Sequence, residues 1–143
     1  AYGLAAERIG WMTGAPQLID LVNRLRGAFN VTSIGQAAAV AAVGDQNFVD
    51  ASRAHNAVEL ARFEARIAAL GNRGLRCMPS RANFSLVLFE GALTAADALA
   101  GLAARGYAVR HLPLQGLGHA LRITIGARED MDAIADALAE MAG

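Results

Sequence analysis

The chain has 143 residues, of which 55 % are hydrophobic and 18 % charged, which suits one folded domain, or a domain plus part of another, and argues against disorder. Thirteen basic residues balance thirteen acidic ones, so no basic excess points to nucleic acid and no run of like charge marks a tail. Cys77 is alone, which excludes a disulfide framework within the chain and fits a reducing, cytoplasmic setting, and no apolar run reaches the ~18 residues of a membrane span.

In chain order, Glu7 to Met12 reads as a short strand closed by Thr13-Gly14. The charged pair Glu7-Arg8 also breaks any signal-peptide core. Pro16 suits the first turn of a helix in which Leu18, Ile19, Val22 and Leu25 recur at helical spacing. Thr32 or Ser33 can cap an alanine-rich helix running to Val43, and Asp45 can cap a longer one. That third helix carries Leu60, Phe63, Ile67 and Leu70 on one stripe, with Gly71 as its expected stop.

Beyond residue 74 the pattern changes. Leu75 to Met78 and Phe84 to Phe89 read as strands. Thr94 to Asp97 resembles a capping box opening a helix that Gly106 stops. Tyr107 to Leu112 and Ala120 to Ile125 read as strands joined by a loop with Pro113, Gly116 and Gly118. A last helix follows, with Met131, Ile134, Leu138 and Met141 on one face and Glu129 and Asp130 in its first turn. The expected fold class is α/β, with an α+β layer from residue 75 built on a small, largely antiparallel sheet.

The chemistry rests on arginines, because all thirteen basic residues are arginine and lysine is absent. Arg110 and Arg122 each lie in an apolar strand, where a bare guanidinium is costly to bury. Each must reach water or an anionic partner, and a wet sheet face would satisfy both. Arg8 is free to sit at a solvated edge or to grip phosphate in a fork. His55, His111 and His119 lack metal-ligand spacing and read as surface or packing residues, so no metal site is expected. Cys77, beside Met78, reads as a core residue. Asn30 and Asn83 read as structural or turn residues.

Three segments carry a resemblance. Gly3-Leu4-Ala5-Ala6-Glu7-Arg8-Ile9-Gly10-Trp11 resembles the stretch after the Schiff-base lysine of fold-type I, pyridoxal-phosphate-dependent aminotransferases. Pro79-Ser80-Arg81-Ala82-Asn83-Phe84 is similar to a segment of the same enzymes. Val109-Arg110 followed by Leu121-Arg122-Ile123-Thr124-Ile125-Gly126 resembles the histidinol-phosphate aminotransferase branch.

That resemblance implies the end of a large cofactor-binding domain over residues 1–44 and a small carboxyl-terminal domain over residues 45–143. It implies that the lysine falls just before Ala1, so no catalytic residue is expected in this chain, which alone should be inactive. It implies that Arg8 binds the phosphate of pyridoxal 5'-phosphate and that Arg110 and Arg122 grip the substrate anion. The whole enzyme would be a cytoplasmic homodimer moving an amino group between histidinol phosphate and 2-oxoglutarate, with no nucleic-acid or membrane partner. Two other readings stay open: a non-catalytic α+β module binding an anionic metabolite, or another fold-type I enzyme such as an aromatic aminotransferase or a decarboxylase.

Overall fold

A computed structural model describes residues 2–143. The chain forms two compact units, Ala1–Arg53 and Ala54–Gly143. In the first, α1 (Pro16–Leu25) starts on its proline, whose missing N–H is not needed there. α2 (Ser33–Gly44) is capped by Thr32, whose side chain accepts a hydrogen bond from the Gly35 N–H at 3.0 Å. Asp45 then closes α2 and opens α3 (Gln46–Ala68), accepting from the Phe48 N–H at 3.1 Å.

The strand expected over Glu7 to Met12 does not form. Ala5–Glu7 is a 3-10 turn and Arg8 adopts a left-handed backbone with φ 56°. The turn's own hydrogen bonds, from the Glu7 N–H to Leu4 (3.1 Å) and from the Arg8 N–H to Ala5 (3.4 Å), satisfy the backbone locally. A strand there would need a neighbour to pair with, and among the described residues the four paired strands all lie beyond residue 74.

The second unit is built on β1 (Leu75–Met78), β2 (Phe84–Phe89), β3 (Arg110–Leu112) and β4 (Leu117–Thr124), with α4 (Ala95–Ala104) and α5 (Arg128–Met141). All neighbouring strands are antiparallel, in the order β1-β2-β4-β3. β3 is shorter than expected, and β4 starts earlier, taking Gly118 into the ladder. A register shift at His111/Leu112 lets the short strand pair with the long one. Gly71 does not end α3 as expected. The chain tightens into a 3-10 turn at Gly71–Arg73, and Gly74 takes the left-handed residue at φ 81°.

Period-2 alternation gives the sheet two different faces. Leu75, Val87, Phe89, Leu121 and Ile123 join Phe63 and Ile67 of α3, Leu102 of α4 and Leu138 of α5 in one core. The opposite face carries a transverse row set by register: Met78 pairs with Leu86, Leu86 with Arg122, and Arg122 with Arg110. Half of that row is apolar and half cationic.

α3 and α5 are joined by an alternating ion ladder. Glu59, only 2 % exposed, accepts from Arg128 at 2.8 Å and from Arg62 at 2.5 Å. Arg62 and Arg66 each reach Asp132 at 3.0 Å, and Arg66 also pairs with Asp136. Partners rise in number together, so the two helices run parallel. Burial pushes the Glu59 carboxyl up, but the hydrogen bonds and charges of Arg128 and Arg62 outweigh it and hold the group below its ordinary value.

Candidate functional site

Arg110 and Arg122 are direct partners across β3 and β4. Opposed residues of an antiparallel pair point to the same side, with Cβ atoms about 5 Å apart. Two like charges so placed repel, and among the described residues neither arginine has a carboxylate within ion-pair distance. Arg110 is exposed and Arg122 half-buried. The Nε of Arg122 is enclosed without a hydrogen-bond partner. The sheet therefore holds two uncompensated guanidinium groups side by side. The chemical complement of that arrangement is an anion with several oxygen acceptors.

The apolar side of the face begins at Phe84, whose ring centroid lies 5.2 Å from the Arg122 guanidinium carbon. Composition and spacing did not single out Phe84. It is the diagonal neighbour of Arg122, since Phe84 pairs with Thr124 and Leu86 with Arg122, and only the register reveals this.

The turn before Phe84 is held from α3. Asn56 Nδ2 donates to the Ala82 carbonyl at 3.0 Å, and the adjacent His55 Nε2 donates to the Gly126 carbonyl at 2.9 Å. His55 and Asn56 thus tie down the start of β2 and the exit of β4. His111 Nε2 donates to the Gly118 carbonyl at 2.7 Å, inside the β3–β4 hairpin.

Arg8 lies in the other unit. It is exposed, and its Nη1 donates to its own turn at the Ala5 carbonyl, 2.8 Å away. Among the described residues it has no acidic partner. A guanidinium free of carboxylates fits a phosphate ligand. The chain offers no lysine amine to bind an aldehyde. Among the described residues no cluster of three His, Cys, Asp or Glu side chains could hold a metal, and no helix is long and apolar enough to cross a membrane.

The four-stranded antiparallel sheet, covered on one face by helices and carrying paired arginines on the other, has counterparts among known proteins. The sequence model of the family "Aminotransferase class I and II" matches residues 1–138, and the chain belongs to that family. Over 142 residues it is 66 % identical to the histidinol-phosphate aminotransferase of Erythrobacter litoralis, covering 99 % of this chain and 39 % of that protein. It is 52 % identical over 140 residues to the enzyme of the same name from Zymomonas mobilis, covering 98 % of this chain and 38 % of that one. The structure of histidinol-phosphate aminotransferase from Sinorhizobium meliloti, in complex with pyridoxal-5'-phosphate, matches with a TM-score of 0.74 at 29 % identity, over 99 % of this chain and 38 % of that one. The chain thus spans about 39 % of the length of its relatives.

Proposed function

We propose that these residues are part of a pyridoxal-phosphate-dependent aminotransferase that moves an amino group between histidinol phosphate and 2-oxoglutarate. Residues 1–44 would end its large domain and residues 45–143 form its small domain. Identity of 66 % to a histidinol-phosphate aminotransferase supports the donor. The observation that carries the reading is the unneutralised Arg110–Arg122 pair, which suits a substrate bearing a phosphate at one end.

In this reading Arg122 binds the substrate anion and Arg110, its cross-strand partner, adds the second fork that a dianionic phosphate can use. Bound at Arg8 through its phosphate, the cofactor would supply the electron sink that lets a proton leave the amino-bearing carbon. The amine that holds the cofactor must come from outside these 143 residues, since they contain no lysine. The family resemblance further supports a cytoplasmic homodimer.

The test is kinetic and uses the full-length enzyme. Arg122→Ala removes charge-assisted hydrogen bonds of on the order of 1.5–3 kcal/mol, so kcat/KM should fall roughly ten- to a hundredfold. Arg110→Ala should weaken histidinol phosphate more than unphosphorylated donors. Equal losses for both donor types would remove Arg110 as a phosphate ligand and overturn the substrate assignment.

A further inference from the structure

Arginines that must point one way are usually oriented by a carboxylate. A carboxylate on Arg122 would also neutralise it and compete with an incoming anion. The structure uses a ring instead: Phe84 lies under the guanidinium at 5.2 Å, and no side-chain acceptor reaches it among the described residues. The negative face of the ring attracts the cation without consuming its hydrogen-bond donors. Orientation is gained while the charge stays available.

The backbone that carries the ring is itself held in place. Ser80 Oγ donates to the Phe84 carbonyl at 2.6 Å and accepts from the Ala82 N–H at 3.1 Å. Asn56 Nδ2 donates to the Ala82 carbonyl at 3.0 Å, and the Ile125 N–H donates to the Asn83 carbonyl at 2.9 Å. The backbone leading into Phe84 is therefore pinned twice, once by α3 at Ala82 and once at Asn83 by the residue that follows β4. A ring on a loose turn could not fix a flexible arginine; this one is clamped.

We propose that Phe84 is a positioning residue for anion recognition, presenting Arg122 to the substrate with its charge intact, and that Asn56 acts through the Ser80–Asn83 turn to hold the ring. The inference rests on the reading of Arg122 as the anion anchor. In the full-length enzyme, two quantities report on it: the KM for histidinol phosphate and the inhibition constant of inorganic phosphate.

Phe84→Leu should raise both roughly three- to tenfold, the scale of a partly desolvated cation–π contact, and Phe84→Tyr, which keeps the π face, should restore them to within about twofold. In an Arg122→Ala background, Phe84→Leu should add nothing, because the group it orients is gone. Asn56→Asp, which loses the donor at equal size, should shift both quantities in the same direction. Stepwise fluorination of the phenylalanine at position 84 keeps its shape and drains its face, so binding should weaken with each step even if Phe84→Leu fails to fold. If fluorination has no effect, or if Phe84→Leu is additive with Arg122→Ala, the positioning role falls while the anion anchor stands. If Arg122→Ala alone leaves both quantities unchanged, it is the functional reading that falls.

Discussion

Glu59 is the side chain on which the α3–α5 ladder turns. It is nearly fully buried and faces two guanidinium groups, from Arg62 and Arg128. A carboxyl whose folded-state pKa is depressed lends stability that is fully present above its unfolded value. That stability is lost as pH falls through the folded value. Asp132 is held low too, chiefly by its hydrogen bond from Arg62, against burial. Glu59→Gln should therefore melt at a lower temperature than the parent at pH 7, and the gap should narrow in acid as pH falls below the ordinary glutamate range, because the Arg128 and Arg62 guanidinium groups hold the parent's carboxyl ionised down to there. Melting curves followed by circular dichroism at pH 7, 5 and 3.5 measure this, and a gap that stays constant or widens in acid contradicts it. Cys77 is the opposite case: burial, the largest influence, pushes its thiol up, with Glu64 adding to the rise and a hydrogen bond with Ser85 opposing it. That agrees with the sequence reading of Cys77 as a packing residue.

Among the elements, the two glycines that flank the open end of the β1–β2 hairpin, Gly74 before β1 and Gly91 after β2, are the sharpest constraint. Gly74 has φ 81°, and a Cβ there would strike the backbone of Gly91; one on Gly91 would strike the Arg73 carbonyl. The two backbones also share a hydrogen bond, from the Glu90 N–H to the Gly74 carbonyl at 2.7 Å. Gly74→Ala should cost about 2 kcal/mol or more, from the left-handed backbone and the clash together, and chemical denaturation should show it as a lower midpoint with an unchanged slope. Parental stability in that variant would mean the turn can rearrange freely.

Much at this scale was legible in the residues. Thr32, Asp45 and Thr94 cap as their chemistry dictates, and Thr94 Oγ1 accepts from the Asp97 N–H at 3.1 Å. The apolar stripes of α3 and α5 point to the core as their spacing requires. What spacing could not supply was pairing. Glu7–Met12 has strand-like composition, but nothing in a local window says whether a partner exists. Arg110 and Arg122 could each be placed on a face of its own strand. Their opposition, and the ring of Phe84 below Arg122, depend on the β2–β4 and β3–β4 registers, which rest on contacts far apart in the chain.

Across the whole molecule, apolar exposure is uneven. In the first unit Trp11 is 71 % exposed, Leu25 88 % and Phe29 100 %, and Leu18, Leu21, Val22, Ile34 and Val40 are also exposed. So many exposed large apolar side chains favour association, and a net charge of zero does little to oppose it. The 143-residue chain on its own should self-associate at micromolar concentration and bind a hydrophobic dye. Light scattering coupled to size exclusion would show this, and a monodisperse monomer without dye binding would rule it out.

The strand order has a consequence in time. β4 occupies an interior position, yet it is the last strand to be synthesised, after both edges, β1 and β3, and after β2. While residues 75–112 emerge, β3 has no neighbour at all, and the backbone of Phe84–Leu88 in β2 presents one unpaired edge. A nascent chain at that stage holds a hairpin and a gap rather than half a sheet. Only when residues 117–124 arrive do the two sides join, and with them the two arginines.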